Sequence, residues 1–323
     1  MLYIVSFEKL FLDCTINYLN PKISLFYIMA IPIVFVHKGD SFYLKYALSN
    51  ARKFNPDSKI YLLNDGTKEE FEGIIKLDLN KFNKYSKELD KLYVHKTKSN
   101  PEIELFCIKR WFLLRAFVEK YKIKKVFALD SDVLLFQNIT KDSLNYSKYD
   151  FTLSQGSCAH AIFINSKKVL IEYTKLAIDF YKNKVGKVEY EANGTITDMS
   201  FWKVLNGSKK FKIGEITEII QSATYDAGLL IEQKEVLIRK GFKQIIFKDS
   251  LPFGKTKTGL IRMKCLHCQG PTKFYMKYYS KGKITHLDEI NIKLMMWARD
   301  NLSPLLSNNI RTKFKEIIKN LGF

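Results

Sequence analysis

The residues with the clearest chemical potential are two aspartates in residues 124–136, Lys-Lys-Val-Phe-Ala-Leu-Asp-Ser-Asp-Val-Leu-Leu-Phe. The pattern predicts a buried strand that ends in the carboxylates of Asp130 and Asp132 and is followed by more apolar residues. Side chains two residues apart on a strand point the same way, so these carboxylates are expected to converge just past the strand end. Close carboxylates repel each other and are costly to bury unless a cation lies between them. The spacing therefore predicts a hard divalent cation, Mn²⁺ or Mg²⁺, which in turn can hold a diphosphate.

The elements that must position these aspartates follow an alternating pattern. Strands are predicted at 31–36 and 59–63, and helices at 42–54 and 103–121, before the Asp-x-Asp strand. Alternation of this kind predicts a parallel sheet with right-handed crossovers, whose ligands bind outside the carboxyl ends of the strands. The loops with His37, Asp40, Asn64 and Asp65 are expected at that same edge.

The second half of the chain is less regular than the first. The sequence as a whole divides into a central domain with an extension at each end. Strands are predicted at 150–153, 161–165, 210–213 and 244–247, helices at 166–182, 197–205, 290–301 and 310–321, and a loop at 266–273. The catalytic domain is predicted to span 29–285, with a peripheral N-terminal extension (1–28) and a helical C-terminal extension (286–323). The uncharged stretch 23–36 is shorter than the roughly 20 residues that a membrane span requires.

Composition limits the function classes. The chain has 323 residues, 46% of them hydrophobic, and a formal net charge of +20 that comes mainly from lysine, since only seven of its 53 basic residues are arginines. The excess predicts a solvated lysine-rich surface or attraction to anions such as nucleotide phosphates, acidic glycans or anionic lipid. No zinc finger or RNA-recognition signature accompanies the charge, so we expect no nucleic acid partner.

The cysteines indicate the compartment. Five scattered cysteines are an odd set, which predicts a reducing, cytoplasmic environment. Cys265 and Cys268 form a Cys-x-x-Cys around His267, but no second Cys/His pair stands at ligand spacing, so structural zinc is not favoured.

A second motif lies far downstream, at residues 267–273, His-Cys-Gln-Gly-Pro-Thr-Lys. A neutral imidazole at His267 could add a nitrogen ligand that suits manganese. Gly270 would let the backbone approach a phosphate, and Lys273 could donate to a phosphate oxygen. Asp-x-Asp followed by His-x-x-Gly-x-x-Lys is more specific than either motif alone.

With these motifs in this order, residues 31–273 resemble GT-A fold, Asp-x-Asp glycosyltransferases that use a nucleotide-sugar donor, and within them the retaining, glycogenin- and galactosyltransferase-like branch. The resemblance implies a GT-A (Rossmann-like) fold, an α/β architecture in which helices flank a mixed, mostly parallel sheet. It also implies a hexosyltransferase that uses a UDP-sugar. The implied metal ligands are Asp130, Asp132 and His267, with Gly270 and Lys273 at the diphosphate.

Further site residues follow from the resemblance. Arg110, on the helix before the Asp-x-Asp, is expected at the donor, with Arg115 as its rival. His160 precedes a strand at a position that contacts donor or acceptor sugar in similar enzymes, although Ala-His-Ala stands where the retaining branch often has Asn-Ala-Gly. Asp198 and Asp226 are candidates for carboxylates in the pocket, and an inverting enzyme would need one of them as general base. A position in the first turn of a helix explains Asp198 equally well.

The nucleotide end has its own candidates. His37, Asp40, Asn64 and Asp65 are expected on loops at strand ends. An Asp or Asn side chain there can hydrogen-bond a uracil edge or ribose hydroxyls, and Tyr43 can stack on the base. Ordinary turn chemistry is the alternative, because Lys-Gly-Asp and Asn-Asp-Gly are good turn sequences.

Two other functions remain open. The Asp130 segment also resembles the nucleophile motif of haloacid-dehalogenase-like phosphatases, but those place the aspartate on the first strand, whereas about a hundred residues of α/β pattern precede it here. A basic membrane- or nucleic-acid-binding protein is the non-enzymatic alternative. The basic C-terminal helices would then contact an anionic membrane peripherally, a contact that also suits an enzyme with a glycan or glycolipid acceptor.

Overall fold

A computed structural model describes residues 29–183, 195–239 and 241–285, together with residues 287, 288, 290 and 294. The predicted N-terminal extension (1–28) lies outside these residues, as does nearly all of the predicted C-terminal helical extension.

The centre of the molecule is a seven-stranded sheet in the order β3-β2-β1-β4-β7-β6-β8. Its strands are β1 (Ile33–His37), β2 (Ile60–Asn64), β3 (Ile74–Asp78), β4 (Val126–Leu129), β6 (Phe151–Leu153), β7 (Ala161–Ile164) and β8 (Ile213–Glu215). Four of the six pairings are parallel, and the two made by β7 are antiparallel. The predicted fold class, a mixed and mostly parallel α/β sheet flanked by helices, is confirmed.

Helices cover both faces of this sheet. They are α1 (Leu44–Phe54), α2 (Ser86–Leu92), α3 (Pro101–Lys120), α4 (Ile139–Asp142), α5 (Lys168–Asn183), α6 (Asp198–Gly207) and α7 (Met276–Tyr279), with 3₁₀ turns at Leu79–Tyr85, Ser143–Tyr146 and Gly270–Tyr275. Successive side chains of β1 pack on opposite faces of the sheet. Phe35 lies in the core that contains Leu48 of α1, and Val34 lies in the core that contains Ile108 of α3. No helix among the described residues is long and apolar enough to cross a membrane.

Smaller pairings complete the fold. The remaining strands are β5 (Val133–Leu135), β9 (Ala223–Thr224), β10 (Ile238–Arg239), β11 (Phe242–Lys243), β12 (Ile245–Lys248), β13 (Leu251–Lys255), β14 (Leu260–Met263) and β15 (Cys265–His267). Strands β12, β13, β14 and β9 form a four-stranded sheet, β10 pairs with β11, and β15 pairs with β5.

The β5–β15 pairing corrects two local predictions. The predicted loop at 266–273 is wrong, because Cys265–His267 pairs with β5, with His267 opposite Val133, and a 3₁₀ turn follows. The strand predicted before the carboxylates is β4, but Asp130-Ser131-Asp132 lie in a turn between β4 and β5, where Val133 N donates to Asp130 O at 3.1 Å. A turn, rather than alternation along one strand, therefore brings the two aspartates together.

The strand order also locates a crevice. The chain builds β2 and β3 on one side of β1 and then crosses to β4 on the other side, so the order reverses between β1 and β4. Open α/β sheets bind ligands outside the carboxyl ends of the strands at such a switch point. The Asp-x-Asp turn lies directly at that end of β4.

Candidate metal centre

Asp130, Asp132 and His267 form one cluster. Each offers a ligand atom, and these atoms lie within 4.8 Å of one another, which makes this trio the only such group found among the described residues. Asp130 directly follows β4, Asp132 directly precedes β5, and His267 is the last residue of β15, which pairs with β5. The pairing of two strands distant in sequence therefore assembles the site. Two carboxylate oxygens and one imidazole nitrogen are a donor set that fits a divalent cation such as Mn²⁺.

The protonation state of His267 suits a metal ligand. Its Nδ1 lies 3.4 Å from the carbonyl oxygen of Ala227, and its Nε2 lies 3.6 Å from Oδ1 of Asp132. A proton on Nδ1 donated to Ala227 leaves the lone pair of Nε2 directed at the aspartates. Burial lowers the pKa of His267 to about 4, so the ring is neutral at physiological pH.

Lys273 forms an ion pair with Oδ2 of Asp132, the carboxylate oxygen that does not face His267. Its Nζ lies 2.8 Å from Oδ2, and the ammonium also lies 5.4 Å from the ring centre of Tyr43. Burial opposes ionisation of Asp132, but the neighbouring ammonium of Lys273 helps to hold the pKa of this carboxyl below its usual value. Gly270, at the start of the same 3₁₀ turn, has a φ of +55° and open space beside its Cα, where an approaching group would meet backbone only.

Arg110 joins two carboxylates at the floor of the site. Its guanidinium pairs with Asp130 through one terminal nitrogen and with Oδ2 of Asp198 at 2.8 Å through the other. Asp198 begins α6 and is 8% exposed. Arg115, the rival candidate, instead donates to Glu119 at 3.1 Å and to the hydroxyl of Thr174 at 2.7 Å. The structure therefore brings Arg110 and Asp198 to the cluster and leaves Arg115 among helix-packing contacts.

His160 and Asp226 lie beneath the cluster, both without exposed surface. The His160 ring stacks on that of His267 with centroids 4.1 Å apart, and its Nε2 donates to the carbonyl oxygen of Asp226 at 2.8 Å. The Asp226 carboxylate is ion-paired with Lys243 at 2.5 Å. Neither side chain is open to an acceptor hydroxyl, so burial and pairing argue against the catalytic roles predicted for His160 and Asp226.

The candidates at the nucleotide end hold two loops together. Nδ2 of Asn64 donates to the carbonyl oxygens of His37 and Gly39 at 2.9 and 2.7 Å, so its amide protons are used inside the protein. Oδ1 of Asp65 accepts from Gly39 N at 2.8 Å, and Asp65 and Asp40 are both exposed. The ring of Tyr43 stands edge-on to that of His37, with centroids 6.0 Å apart. Asp40, Asp65 and Tyr43 are therefore the members of this set with surface to offer a ligand.

Sequence reasoning missed three residues that shape the site. The hydroxyl of Ser131, inside the Asp-x-Asp turn, lies 2.8 Å from Nδ1 of His37 and so connects β4 to β1. Lys243 pairs with the carboxylate of Asp226, and Gln233 accepts from Lys243 and from Ala227 N beside it. The central position of Ser131 was a usable signal, whereas Lys243 is one lysine among very many.

Comparisons with known proteins complete the description. No protein-family model and no curated protein sequence matches this chain. Among solved structures the chain is similar to the galactosyltransferase LgtC in complex with donor and acceptor sugar analogues, at 14% identity and a TM-score of 0.37, over 60% of this chain and 76% of that one. It is also similar to mouse xyloside xylosyltransferase 1, at 10% identity and a TM-score of 0.40, over 57% and 84% of the respective chains. A third similarity is to the bifunctional glycosyltransferase WbbM, at 11% identity and a TM-score of 0.41, over 85% and 52%. At these identities and TM-scores, no activity of those enzymes carries over to this chain.

Proposed function

We propose that this chain is a metal-dependent glycosyltransferase. It moves a hexose from a nucleoside diphosphate sugar to a hydroxyl group of a glycan or lipid-linked acceptor, and we propose that the donor is a UDP-sugar. The observation that carries the proposal is the convergence of Asp130, Asp132 and His267, with Lys273 beside them, at the switch point of the sheet.

The reaction needs positive charge at the departing diphosphate. Asp130, Asp132 and His267 would hold a divalent cation, which when bound supplies Lewis-acid stabilisation of the phosphate oxygens. Lys273 adds an ammonium that can move from Asp132 to a phosphate oxygen, and the open backbone at Gly270 lets the diphosphate come close. Groups fixed in this way before the substrate arrives stabilise developing charge without reorganising.

The surroundings of the two other carboxylates support retention of anomeric configuration. An inverting enzyme needs a general base that accepts the acceptor's proton. Asp198 is paired with Arg110, and Asp226 is fully buried against Lys243. Each carboxylate is therefore committed to a cation of the protein, which disfavours both as the base.

The proposed setting is cytoplasmic, with peripheral contact to an anionic membrane through the C-terminal segment. The four described cysteines are free thiols, which suits a reducing compartment. Sedimentation with anionic vesicles, for the chain with and without residues 302–323, tests the membrane contact. Equal sedimentation of the two forms would contradict it.

The test of the function is a panel of nucleotide sugars assayed for nucleoside diphosphate release with and without Mn²⁺. We expect a UDP-sugar to be hydrolysed slowly in the absence of acceptor, and Asp132→Asn to reduce that rate by about 100-fold or more, as expected when a charge-stabilising group is lost. Thermal shift with the same panel measures binding separately from turnover. Phosphate release from simple phosphoesters with Mg²⁺ would instead favour the phosphatase, and no response to any nucleotide would refute nucleotide-sugar transfer.

A further inference from the structure

A buried ion pair lies directly beneath His267. The side chains of Lys243 and Asp226 are both 0% exposed, and Nζ lies 2.5 Å from Oδ1. The Lys243 ammonium also donates to Oε1 of Gln233 at 2.7 Å, and the same oxygen accepts from Ala227 N at 3.0 Å. The amide nitrogen of Gln233 donates to the carbonyl oxygen of Tyr225 at 2.8 Å, so the pair is enclosed by the chain on each side of Asp226.

The Asp226 carboxylate reaches the candidate metal ligand through the main chain. Its Oδ2 accepts from His267 N at 2.9 Å, while its Oδ1 also accepts from Gly228 N at 3.1 Å. Three residues after Asp226, Leu229 N donates to the carbonyl oxygen of His267 at 3.1 Å. The peptide groups on both sides of His267 are therefore held by residues 226–229.

The same segment controls the His267 ring. The carbonyl oxygen of Ala227 faces Nδ1, which fixes the tautomer that leaves Nε2 free to bind a cation. The carbonyl oxygen of Asp226 accepts from Nε2 of His160, whose ring stacks on that of His267 with planes 14° apart. The main-chain carbonyls of residues 226 and 227, which the Asp226 carboxylate fixes relative to His267 N, thus restrain the ring at its edge directly and at its face through His160.

We propose that Asp226, neutralised by Lys243, is a positioning residue that holds His267 in the geometry and tautomer required for divalent cation binding. A buried ion pair gives little net stability compared with apolar side chains of the same volume, so stability alone does not account for this one. The contacts of Asp226 supply a specific role, and the inference rests on the proposed metal site. It replaces the general-base role considered for Asp226 with one exerted through the main chain of His267.

The test measures Mn²⁺ affinity directly, from the electron paramagnetic resonance signal of free Mn²⁺ during titration, with no nucleotide present. The decisive variant is Asp226→Leu with Lys243→Met, which removes both charges, leaves neither one buried alone, and deletes the side-chain oxygen that accepts from His267 N. Loss of groups that orient a metal-binding histidine typically weakens affinity by about 10- to 100-fold, and we expect a loss in that range. An affinity equal to that of the wild type would overturn the proposal.

A matched control is the second buried pair, Lys264 and Asp142, at 2.8 Å and with both side chains 3% exposed. Asp142→Leu with Lys264→Met removes a comparable pair that does not contact His267, so we expect wild-type Mn²⁺ affinity from it. An equal loss of affinity in the control would mean that any buried charge change disturbs the site, and would overturn the specific role of Asp226.

Two further results separate this proposal from the proposed function. If Asp132→Asn binds Mn²⁺ as the wild type does, the metal site itself is wrong. If Asp132→Asn abolishes binding and the Asp226/Lys243 variant does not weaken it, only the positioning role falls. Should that variant melt below the assay temperature, Asp226→Glu takes its place, because it keeps the ion pair and displaces the contact with His267 N. Weaker Mn²⁺ binding by Asp226→Glu supports the proposal, and unchanged binding refutes it.

Discussion

Replacing Arg110 by methionine should destabilise the protein far more than the same change at Arg115, five residues further along the same helix. Arg110 is the shared counter-ion of Asp130 and Asp198, and its side chain is 15% exposed, against 24% and 12% for its partners. The substitution keeps the bulk of the side chain but leaves two carboxylates facing each other with little solvent. Because the cluster is only partly screened by water, most of that electrostatic cost is felt in the folded state.

The magnitude follows from the loss of one partner in a buried pair, which typically costs about 3–5 kcal/mol. Two carboxylates lose their partner here, so we expect about 4 kcal/mol, a large part of the ~5–15 kcal/mol by which domains are usually stable. Arg115 contacts Glu119, one turn away and partly exposed, and the hydroxyl of Thr174, which is buried but also donates to main-chain carbonyl oxygens of its own helix. We expect Arg115→Met to cost about 1 kcal/mol.

The assay is urea denaturation followed by tryptophan fluorescence. Trp111 lies next to Arg110 and packs against Trp202 with ring centroids 4.9 Å apart, so the signal reports on this part of the core. Adding Asp198→Asn to Arg110→Met should recover part of the lost stability, because one unpaired charge is removed. Equal costs for the two arginine variants, or no recovery in the double variant, would refute the idea that Arg110 neutralises this cluster.

Three other outcomes are expected from the contacts described above. Lys273→Met should raise the affinity for Mn²⁺ alone by about tenfold, because a cation that competes for the same carboxylate is removed, and it should weaken UDP binding. Separate titrations with Mn²⁺ and with UDP measure the two affinities, and weaker Mn²⁺ binding by the variant would contradict the expected competition. Gly66→Ala should cost about 1–3 kcal/mol in urea denaturation, since its new Cβ would lie 2.5 Å from the Cα of Gly39, whereas Gly207→Ala, with open space around it, should be close to neutral. Burial raises the pKa of Cys107 to about 12, so at pH 8 iodoacetamide should alkylate this thiol about a thousandfold more slowly than an exposed one, and the rate should rise with pH. Mass spectrometry of the labelled peptides measures the rate, and labelling at pH 8 as fast as that of an exposed cysteine would contradict the raised pKa.

The central sheet was predictable because its strands and helices carry local signals. The apolar run of β4 and the start of α3, where Asn100 caps the helix and Pro101 begins it, are readable from neighbouring residues. The strand Cys265–His267 was not readable, because three residues have no periodicity and their order comes from pairing with β5, far away in the sequence. Local patterns specify elements, whereas long-range pairing specifies where a short segment lies.

The candidate site shows the same division at the level of charge. Sequence motifs select carboxylates that could do chemistry, but the role of each one depends on the cation that neutralises it, and that cation comes from elsewhere in the chain. Asp226 faces a fully buried lysine, Asp198 faces an arginine fixed between two acids, and Asp132 faces Lys273, whose side chain is 26% exposed. Of these partners only Lys273 has room to move away. Of these three carboxylates, Asp132 is therefore the one that can exchange its lysine for an incoming cation, whereas Asp226 and Asp198 stay paired and stabilise the geometry of the site.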